Sequence, residues 1–415
     1  MTEPAQADPL LATLSASVGG PRGHHAEGTI GWLPAGAVLI VLTTLTFAVG
    51  MLQKASCATK GWDSAIRYTH LCASDLPGAY AVQGLDHPVL TTYWASAAAK
   101  VTHWVHDSAT MFVVVNAVGF AVLAMVSVWL LSGVRPNRPW EVAAFAVSPA
   151  LALTGLVSWD VLAMAAVAVA LWAYARGDLG LTGVAIGVGA AAGVYPVVLL
   201  FALLVLAIRH RSWLPWLIVV AVSCVTWLIL NLPAMITRWH AWGGFWSQLV
   251  HREVGSGSFW FLLQDATGST IHASTLNVCA GILFVACCAG VLALGVLASR
   301  EPTIAELGLL CVVALVLVGK AYAPQDVLWL LPLAVLARPR LRDQLIWQGA
   351  EVLFFAASAW NLAGLMSSGD GPAAMYDVVI ALRLLVELCL AGAVAYDLLR
   401  PRSQAMTVSS NVVVV

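Results

Sequence analysis

The sequence predicts an all-α, polytopic integral membrane protein with about twelve membrane-spanning helices. Of its 415 residues, 60% are hydrophobic and only 10% are charged, whereas soluble domains carry about 25% charged residues. The mean hydropathy of +0.87 is typical of a chain that lies mostly within a bilayer. A formal net charge of −1, with no basic stripe, argues against a nucleic acid as a partner.

Apolar runs give the individual spans. Runs long enough to cross about 30 Å of hydrocarbon lie at 32–52, 109–133, 140–157, 213–231, 276–298, 345–366 and 376–398. Shorter runs at 159–176, 304–319 and 325–337 add spans if the flanking aromatic and small residues extend them. The segment 180–209 contains Tyr195-Pro196, and proline removes a backbone donor, so we predict two half-spans there.

The distribution of lysine and arginine sets the orientation, because positive residues stay cytoplasmic in short loops. With the N-terminus inside, the cytoplasmic cations are all arginines: Arg22, Arg135, Arg138, Arg176, Arg209, Arg211, Arg300, Arg338, Arg340, Arg342, Arg400 and Arg402. We therefore expect a multi-pass protein of the cytoplasmic membrane with both termini in the cytoplasm. Residues 1–30 and 401–415 are predicted as disordered tails around one transmembrane domain, 31–400, with extracytoplasmic loops 53–108 and 232–275.

The loop 53–108 concentrates ionisable residues in a chain that otherwise avoids them. It contains Asp63, Arg67, His70, Asp75, Asp86 and His87. This concentration predicts chemistry or ligand capture on the outer face. Cys57 and Cys72 lie in the same oxidising compartment, 15 positions apart. We expect them to form a disulfide, with two free thiols as the alternative.

Three further segments with aromatic and ionisable residues are predicted on the outer face. They are Trp239, Trp242, Trp246 and Trp260 with His240, His251, Arg252 and Glu253; then Ser158-Trp159-Asp160; and finally Lys320, Tyr322, Gln325, Asp326 and Trp329. Interfacial Trp and Tyr are ordinarily membrane anchors. Together, however, these residue types suit a site: aromatics stack on sugar rings, carboxylates remove protons from hydroxyls, and cations hold phosphates.

Other chemistries find less support in the sequence. Arg383 and Glu387 lie four apart within a predicted span. They are interpreted as a structural pair, although an ion-coupled transporter also needs charges near the bilayer midplane. The histidines of the first loop lack the close spacing of a helical zinc motif, so no bound metal is predicted. No nucleophile elbow, phosphate-binding loop or dinucleotide motif occurs.

Short motifs carry a resemblance to a known family. WD at 62–63, YTHLCASDLPGAY at 68–80, DHPVLT at 86–91, SWDVLAM at 158–164, GVYPVVLL at 193–200 and KAYAPQDVLWLLPLAVL at 320–336 resemble actinobacterial proteins of glycosyltransferase family 87, in the polyprenyl-phosphate-dependent GT-C superfamily. The chain departs from the family pattern at Gly193-Val194, where Lys-Leu is frequent, and at Ala323, where Ser is usual. Asp86-His87 replaces Glu-Tyr, and Asp326 stands where an aromatic is common.

The resemblance implies an inverting membrane glycosyltransferase, with mannose as the first choice of sugar. It would transfer the sugar from a polyprenyl-phosphate donor, its co-substrate, to a glycolipid or lipoglycan acceptor, without a metal or other cofactor. Asp75 is the first choice of general base and Asp63 the second. The expected phosphate- and substrate-binding residues are Lys320, Arg67, Arg252, His87, Tyr80, Gln325, Asp160, Trp159 and Trp260, with Trp242 as another stacking ring.

Each of these roles has an alternative. Ser74-Asp75-Leu76-Pro77 is typical of a helix start, so Asp75 is also a candidate N-cap. Asp63 is placed to pair with Arg67 four residues later, and Lys320 can snorkel from a helix end. For the whole chain, the alternatives are a transporter or flippase of lipid-linked glycans and a non-catalytic membrane scaffold.

Overall fold

The computed structural model describes residues 32–62, 66–81, 87–104, 108–366 and 374–400. Within these ranges the regular elements are helices, and no strand occurs. The predicted all-α class is therefore confirmed. The predicted tails 1–30 and 401–415 and the candidate base Asp63 lie outside the described residues.

The α-helices are numbered in chain order: α1 (Trp32–Lys60), α2 (Ile66–Thr69), α3 (Leu76–Ala81), α4 (Val89–Thr102), α5 (Ser108–Val134), α6 (Ala143–Ala146), α7 (Pro149–Thr154), α8 (Asp160–Ala175), α9 (Leu179–Ala192), α10 (Val198–His210), α11 (Trp213–Thr237), α12 (Trp239–His251), α13 (Phe259–Thr267), α14 (Ala273–Leu297), α15 (Ile304–Val318), α16 (Val327–Ala337), α17 (Leu341–Leu362) and α18 (Ala374–Leu399). Turns of 3₁₀ helix lie at Pro139–Val142, Tyr195–Val197 and Pro324–Asp326.

The described chain contains 5 helices long and apolar enough to cross a membrane, namely α1, α5, α11, α14 and α18. Their apolar stretches have 25 to 29 residues, or about 37–44 Å at 1.5 Å per residue. By contrast, α8 has 16 residues and α16 has 11, which is less than the roughly 20 needed for a span. The protein is membrane-embedded, and the count of about twelve spans stays a prediction.

The short apolar helices form the interior of the fold. Most side chains of α8 and α15 and nearly all those of α16 are buried, and α8 packs against α5, α9 and α16. In the long helices, only 11% to 44% of the most apolar window is buried. Exposed apolar side chains such as Val118, Ile229 and Val285 are what lipid-facing helices require, because lipid solvates them.

Proline breaks two of the predicted runs. The helix is interrupted at Tyr195-Pro196, as predicted, and a 3₁₀ turn separates α9 from α10. The expected single span at 140–157 is wrong: a 3₁₀ turn, α6 and α7 replace it. Ser148 caps α7 by accepting a hydrogen bond from the backbone N–H of Leu151, and Pro149 takes the first helical position. Proline at that position suits a new helix and cannot continue the preceding one.

Candidate functional site

The segment that carries Asp75 is pinned to the end of α1. A disulfide joins Cys57 to Cys72, with a Cα–Cα distance of 5.9 Å. Gln53 donates a hydrogen bond to the carbonyl of Leu71, and Lys54 Nζ donates to the carbonyl of Ala73 at 2.7 Å. The covalent link and the two hydrogen bonds fix the path of the backbone just before Asp75.

The same segment is attached on its other side to the start of α8. The backbone N–H of Asp75 donates to the carbonyl of Val157 at 2.8 Å, and Ser74 Oγ donates to the carbonyl of Leu156 at 2.8 Å. Leu76 is fully buried. These contacts bring Asp75 beside Asp160, although 85 positions separate the two residues in the sequence.

The Asp75 carboxylate is exposed and is not occupied by helix capping. It is Ser74 Oγ that accepts the bond from the backbone N–H of Leu76, at 3.3 Å. Among the described residues, no donor forms a hydrogen bond with the Asp75 carboxylate. Although the side chain is accessible, the protein around it removes part of the water from the carboxylate, and this partial desolvation raises the pKa of Asp75. The charge of Asp160 raises this pKa further, and His87, Arg67 and Lys54 lower it. Asp75 thus precedes α3 without making a capping hydrogen bond to a described residue, and its chemical role stays a prediction.

Asp160, the first residue of α8, is held by two hydrogen bonds. Its Oδ1 accepts from Trp329 Nε1 at 2.8 Å, and its Oδ2 accepts from Ser158 Oγ. The Trp329 ring stacks on Tyr195 with a centroid distance of 4.9 Å and an interplanar angle of 9°. The Tyr195 hydroxyl is buried and has no hydrogen-bond partner in the described chain. Asp160 is therefore fixed in place, whereas the Asp75 side chain is open to a ligand.

His87 connects the carboxylates to an aromatic cleft. Its ring lies 5.1 Å from that of Trp159. On the other side it lines a narrow cleft with a free volume of only about 10 Å³, whose aromatic walls are Trp227, Trp242, Phe245 and Trp246. We call this the aromatic cleft. Trp242 Nε1 donates to Asn231 Oδ1 at 3.0 Å, which orients one wall.

Lys320 has backbone partners in the structure. Its Nζ donates to the carbonyls of Leu249 and Val250, both at 3.0 Å, so it caps the C-terminal end of α12. Burial, together with the nearby charge of Arg252, lowers the pKa of Lys320. Arg252 itself is exposed. At this end of the fold Arg252 is therefore the more accessible of the two cations.

Of the other predicted site residues, Arg67 and Gln325 are half-buried, whereas Trp159 and Trp260 are buried. Arg67 lies near Asp75, and its guanidinium is 4.6 Å from the centroid of the Tyr68 ring. Gln325 lies next to Asp326. Trp159 and Trp260 are buried, at 3% and 5% exposure. Their indole nitrogens donate to Asn116 Oδ1 at 3.2 Å and to the Val318 carbonyl at 2.9 Å, so both rings pack inside the fold. The side chain of Tyr80 lies outside the described part of the chain.

Three residues of this region were not predicted as site residues. Lys54 holds the Asp75 segment, Trp329 holds Asp160, and Asn116 accepts bonds from both Trp94 at 3.0 Å and Trp159. A sequence signal existed for Asn116, since it is a lone amide inside the apolar run 109–133. For Trp329 the signal was its place beside Lys320 and Asp326 in the late outer segment. For Lys54 the sequence carries no comparable signal.

Comparison of the chain with models of known protein families and with curated protein sequences finds no match.

Proposed function

We propose that the chain is a membrane glycosyltransferase. It moves a sugar, with mannose as the first choice, from a polyprenyl-phosphate donor to a glycolipid or lipoglycan acceptor on the outer face of the cytoplasmic membrane. The observation that carries this proposal is the open Asp75 carboxylate, on a braced segment between a second carboxylate and the aromatic cleft. The motif resemblance to glycosyltransferase family 87 supports the choice of donor.

The proposed reaction needs one base. Asp75 takes a proton from an acceptor hydroxyl while that oxygen attacks the anomeric carbon. The bond from the anomeric carbon to the phosphate oxygen breaks, and polyprenyl phosphate leaves with the electron pair. The configuration at the anomeric carbon inverts. A phosphate is already a competent leaving group, so the second carboxylate that a glycosidase uses as a general acid is not needed.

The cations and the aromatic cleft have proposed roles in binding. Arg67, beside Asp75, and the exposed Arg252 neutralise the donor phosphate, and Lys320 positions the end of α12. Trp242, in the wall of the cleft, is the proposed sugar platform, since Trp159 and Trp260 are buried.

The test is incorporation of labelled sugar from polyprenyl-phosphate mannose by membranes that contain the protein. We expect Asp75→Asn to lower incorporation by roughly 10²–10⁴-fold, the usual contribution of a general base. Asp178→Asn is the matched control: Asp178 caps α9 by accepting from the backbone N–H of Leu181 at 2.8 Å, and asparagine caps equally well. Unchanged incorporation in Asp75→Asn would remove Asp75 from the mechanism.

Glycolipid profiling of a deletion strain tests the proposed reaction without assuming which sugar donor is used. We expect one acceptor lacking a sugar unit to accumulate, and re-expression of the wild-type chain to restore the product. A deletion strain with an unchanged glycolipid profile would contradict the glycosyltransferase proposal and favour the scaffold.

A second candidate function is transport or flipping of a lipid-linked glycan. It is favoured by Arg383, Glu387 and Glu351, which are buried near the middle of their helices, because charges in membrane helices often mark transport pathways. Loss of function on Glu387→Gln together with full function of Asp75→Asn would support this candidate over the enzyme.

A further inference from the structure

A cluster of ionisable side chains lies inside the fold, apart from the Asp75 site. Arg383 and Glu387 are both 0% exposed, and Arg383 Nη1 lies 3.5 Å from Glu387 Oε1. Arg383 is nine residues beyond the start of α18, or about 14 Å along its axis. Glu351, on α17, is 3% exposed. The cluster therefore lies near the middle of two neighbouring helices, where water cannot solvate charge.

The two carboxyl groups have different surroundings. Glu351 Oε2 accepts from Tyr322 Oη at 2.9 Å, and its Oε1 accepts from Trp347 Nε1 at 3.2 Å. Neither oxygen of Glu387 accepts a hydrogen bond within the described chain. Donors favour the ionised form of a carboxyl group, and their absence favours the neutral form. Glu351 therefore has two hydrogen-bond donors suited to a carboxylate, whereas Glu387 has only the guanidinium of Arg383, 3.5 Å away, and accepts no hydrogen bond in the described chain.

Glu351 and Glu387 also lie within hydrogen-bonding reach of each other. Two ionised carboxylates only accept, so a hydrogen bond between them requires a proton on one. The charged and titratable groups facing the pair are Arg383 on α18, and Tyr322 and Asp326 before α16. Two ionised glutamates beside the one guanidinium would leave a net negative charge within the fold, which is costly at this depth.

We propose that Glu351 and Glu387 bind one proton between them. Glu387 carries the proton and donates it in a hydrogen bond to the Glu351 carboxylate, and Arg383 balances the remaining negative charge. The side chains of Arg383, Glu351 and Glu387 together then carry no net charge, and Glu351 keeps a donor on each of its oxygens. This inference does not rest on the proposed function.

Arg383 links the proton site to two interhelical connections near the Asp75 site, one before α13 and one between α15 and α16. Arg383 Nη2 donates to the carbonyl of Gly257 at 3.0 Å, and the guanidinium lies 3.6 Å from the centroid of the Tyr322 ring. Gly257 has φ +82° and packs so closely on Phe354 that an added Cβ would lie 2.6 Å from its ring. Loss of the proton would leave unbalanced charge beside the anchors of both connections.

A matched pair of variants tests which glutamate holds the proton. Glutamine is a neutral mimic of a protonated glutamate. We expect Glu387→Gln to leave the melting temperature of the purified protein in lipid nanodiscs unchanged at pH 7. Glu351→Gln removes the anion that balances Arg383, and we expect it to lower the melting temperature by several degrees. A loss in Glu387→Gln equal to or larger than that in Glu351→Gln would overturn the proposal.

Infrared spectroscopy gives a second readout that works even if Glu351→Gln fails to fold. The wild-type protein at pH 7 should show the carbonyl stretch of a protonated carboxylic acid, shifted in D₂O. We expect Glu387→Gln to lose this band and Asp178→Asn to keep it. A wild-type minus Glu387→Gln difference spectrum without this band would show that Glu387 is not protonated and would reject the site.

Discussion

Trp329 Nε1 donates a hydrogen bond of 2.8 Å to Oδ1 of Asp160, across a separation of 169 positions in the sequence. The bond joins the first turn of α16 to the first residue of α8 in the interior of the fold. It also places the indole ring flat against Tyr195. One tryptophan thus connects a carboxylate of the site, the break between α9 and α10, and the late 3₁₀ turn.

The first prediction concerns this bond. Trp329→Phe keeps an aromatic ring against Tyr195 but leaves Oδ1 of Asp160 without its donor. Loss of one partner of a buried hydrogen bond costs about 1–3 kcal/mol, so we expect a lower free energy of unfolding in denaturant titrations. Trp213→Phe is the control, because Trp213 is 50% exposed, and its effect should stay within about 0.5 kcal/mol. Equal effects of the two variants would contradict the assignment.

The second prediction concerns the pH dependence of sugar transfer under the proposed function. A general base must be deprotonated, and burial raises the pKa of Asp75. Transfer should therefore rise with pH along an acid limb whose midpoint lies above the ordinary aspartate value of about 3.9. A limb at or below that value in the profile of kcat/KM would contradict the role of Asp75.

Removal of either of two neighbouring charges should move the acid limb of this pH profile in a defined direction. His87→Gln removes a positive charge that lowers the pKa of Asp75, so the acid limb should move to higher pH. Asp160→Asn removes a negative charge that raises it, so the limb should move to lower pH. Asparagine at 160 can still accept from Trp329. The exposed His240 provides the control variant His240→Gln, which should leave the limb in place. Shifts of both site variants in one direction would reject the electrostatic argument.

The third prediction concerns the disulfide. Closing a loop of about 15 residues stabilises a protein by about 3 kcal/mol through the unfolded chain. Cys57→Ser should therefore lower the free energy of unfolding by about 3 kcal/mol. The free energy of unfolding of this variant should no longer change when a reducing agent is added. Cys224→Ser, at a free and exposed thiol, should change neither quantity. Retention of wild-type stability in Cys57→Ser would show that the disulfide does not brace the segment.

The fourth prediction separates Lys320 from Arg252. Lys320→Met removes the donor to the end of α12 and should lower the melting temperature. Arg252→Met should leave the melting temperature unchanged and raise the KM for the polyprenyl-phosphate donor about tenfold, as expected for loss of one charge-assisted hydrogen bond. The reverse pattern, with a KM effect confined to Lys320→Met, would restore Lys320 as the phosphate ligand.

The sequence by itself determined the helical class, the membrane environment and the break at Tyr195-Pro196. These follow from properties that each segment carries alone: the apolar length of a run and the missing N–H of a proline. The single span predicted at 140–157 failed for a local reason as well. Hydropathy does not register the cap formed by Ser148 and Pro149, which divides the run into short helices.

Only the tertiary structure decided which side chains meet. It set Asp75 beside Asp160, gave Asp160 its donor on α16, turned Lys320 toward the end of α12, and buried the rings of Trp159 and Trp260. Each of these pairings joins residues that are distant in the sequence, and each depends on how whole helices pack. Hydropathy and short motifs describe one segment at a time. The partner of a side chain is selected by the shape and charge of every element that packs around it.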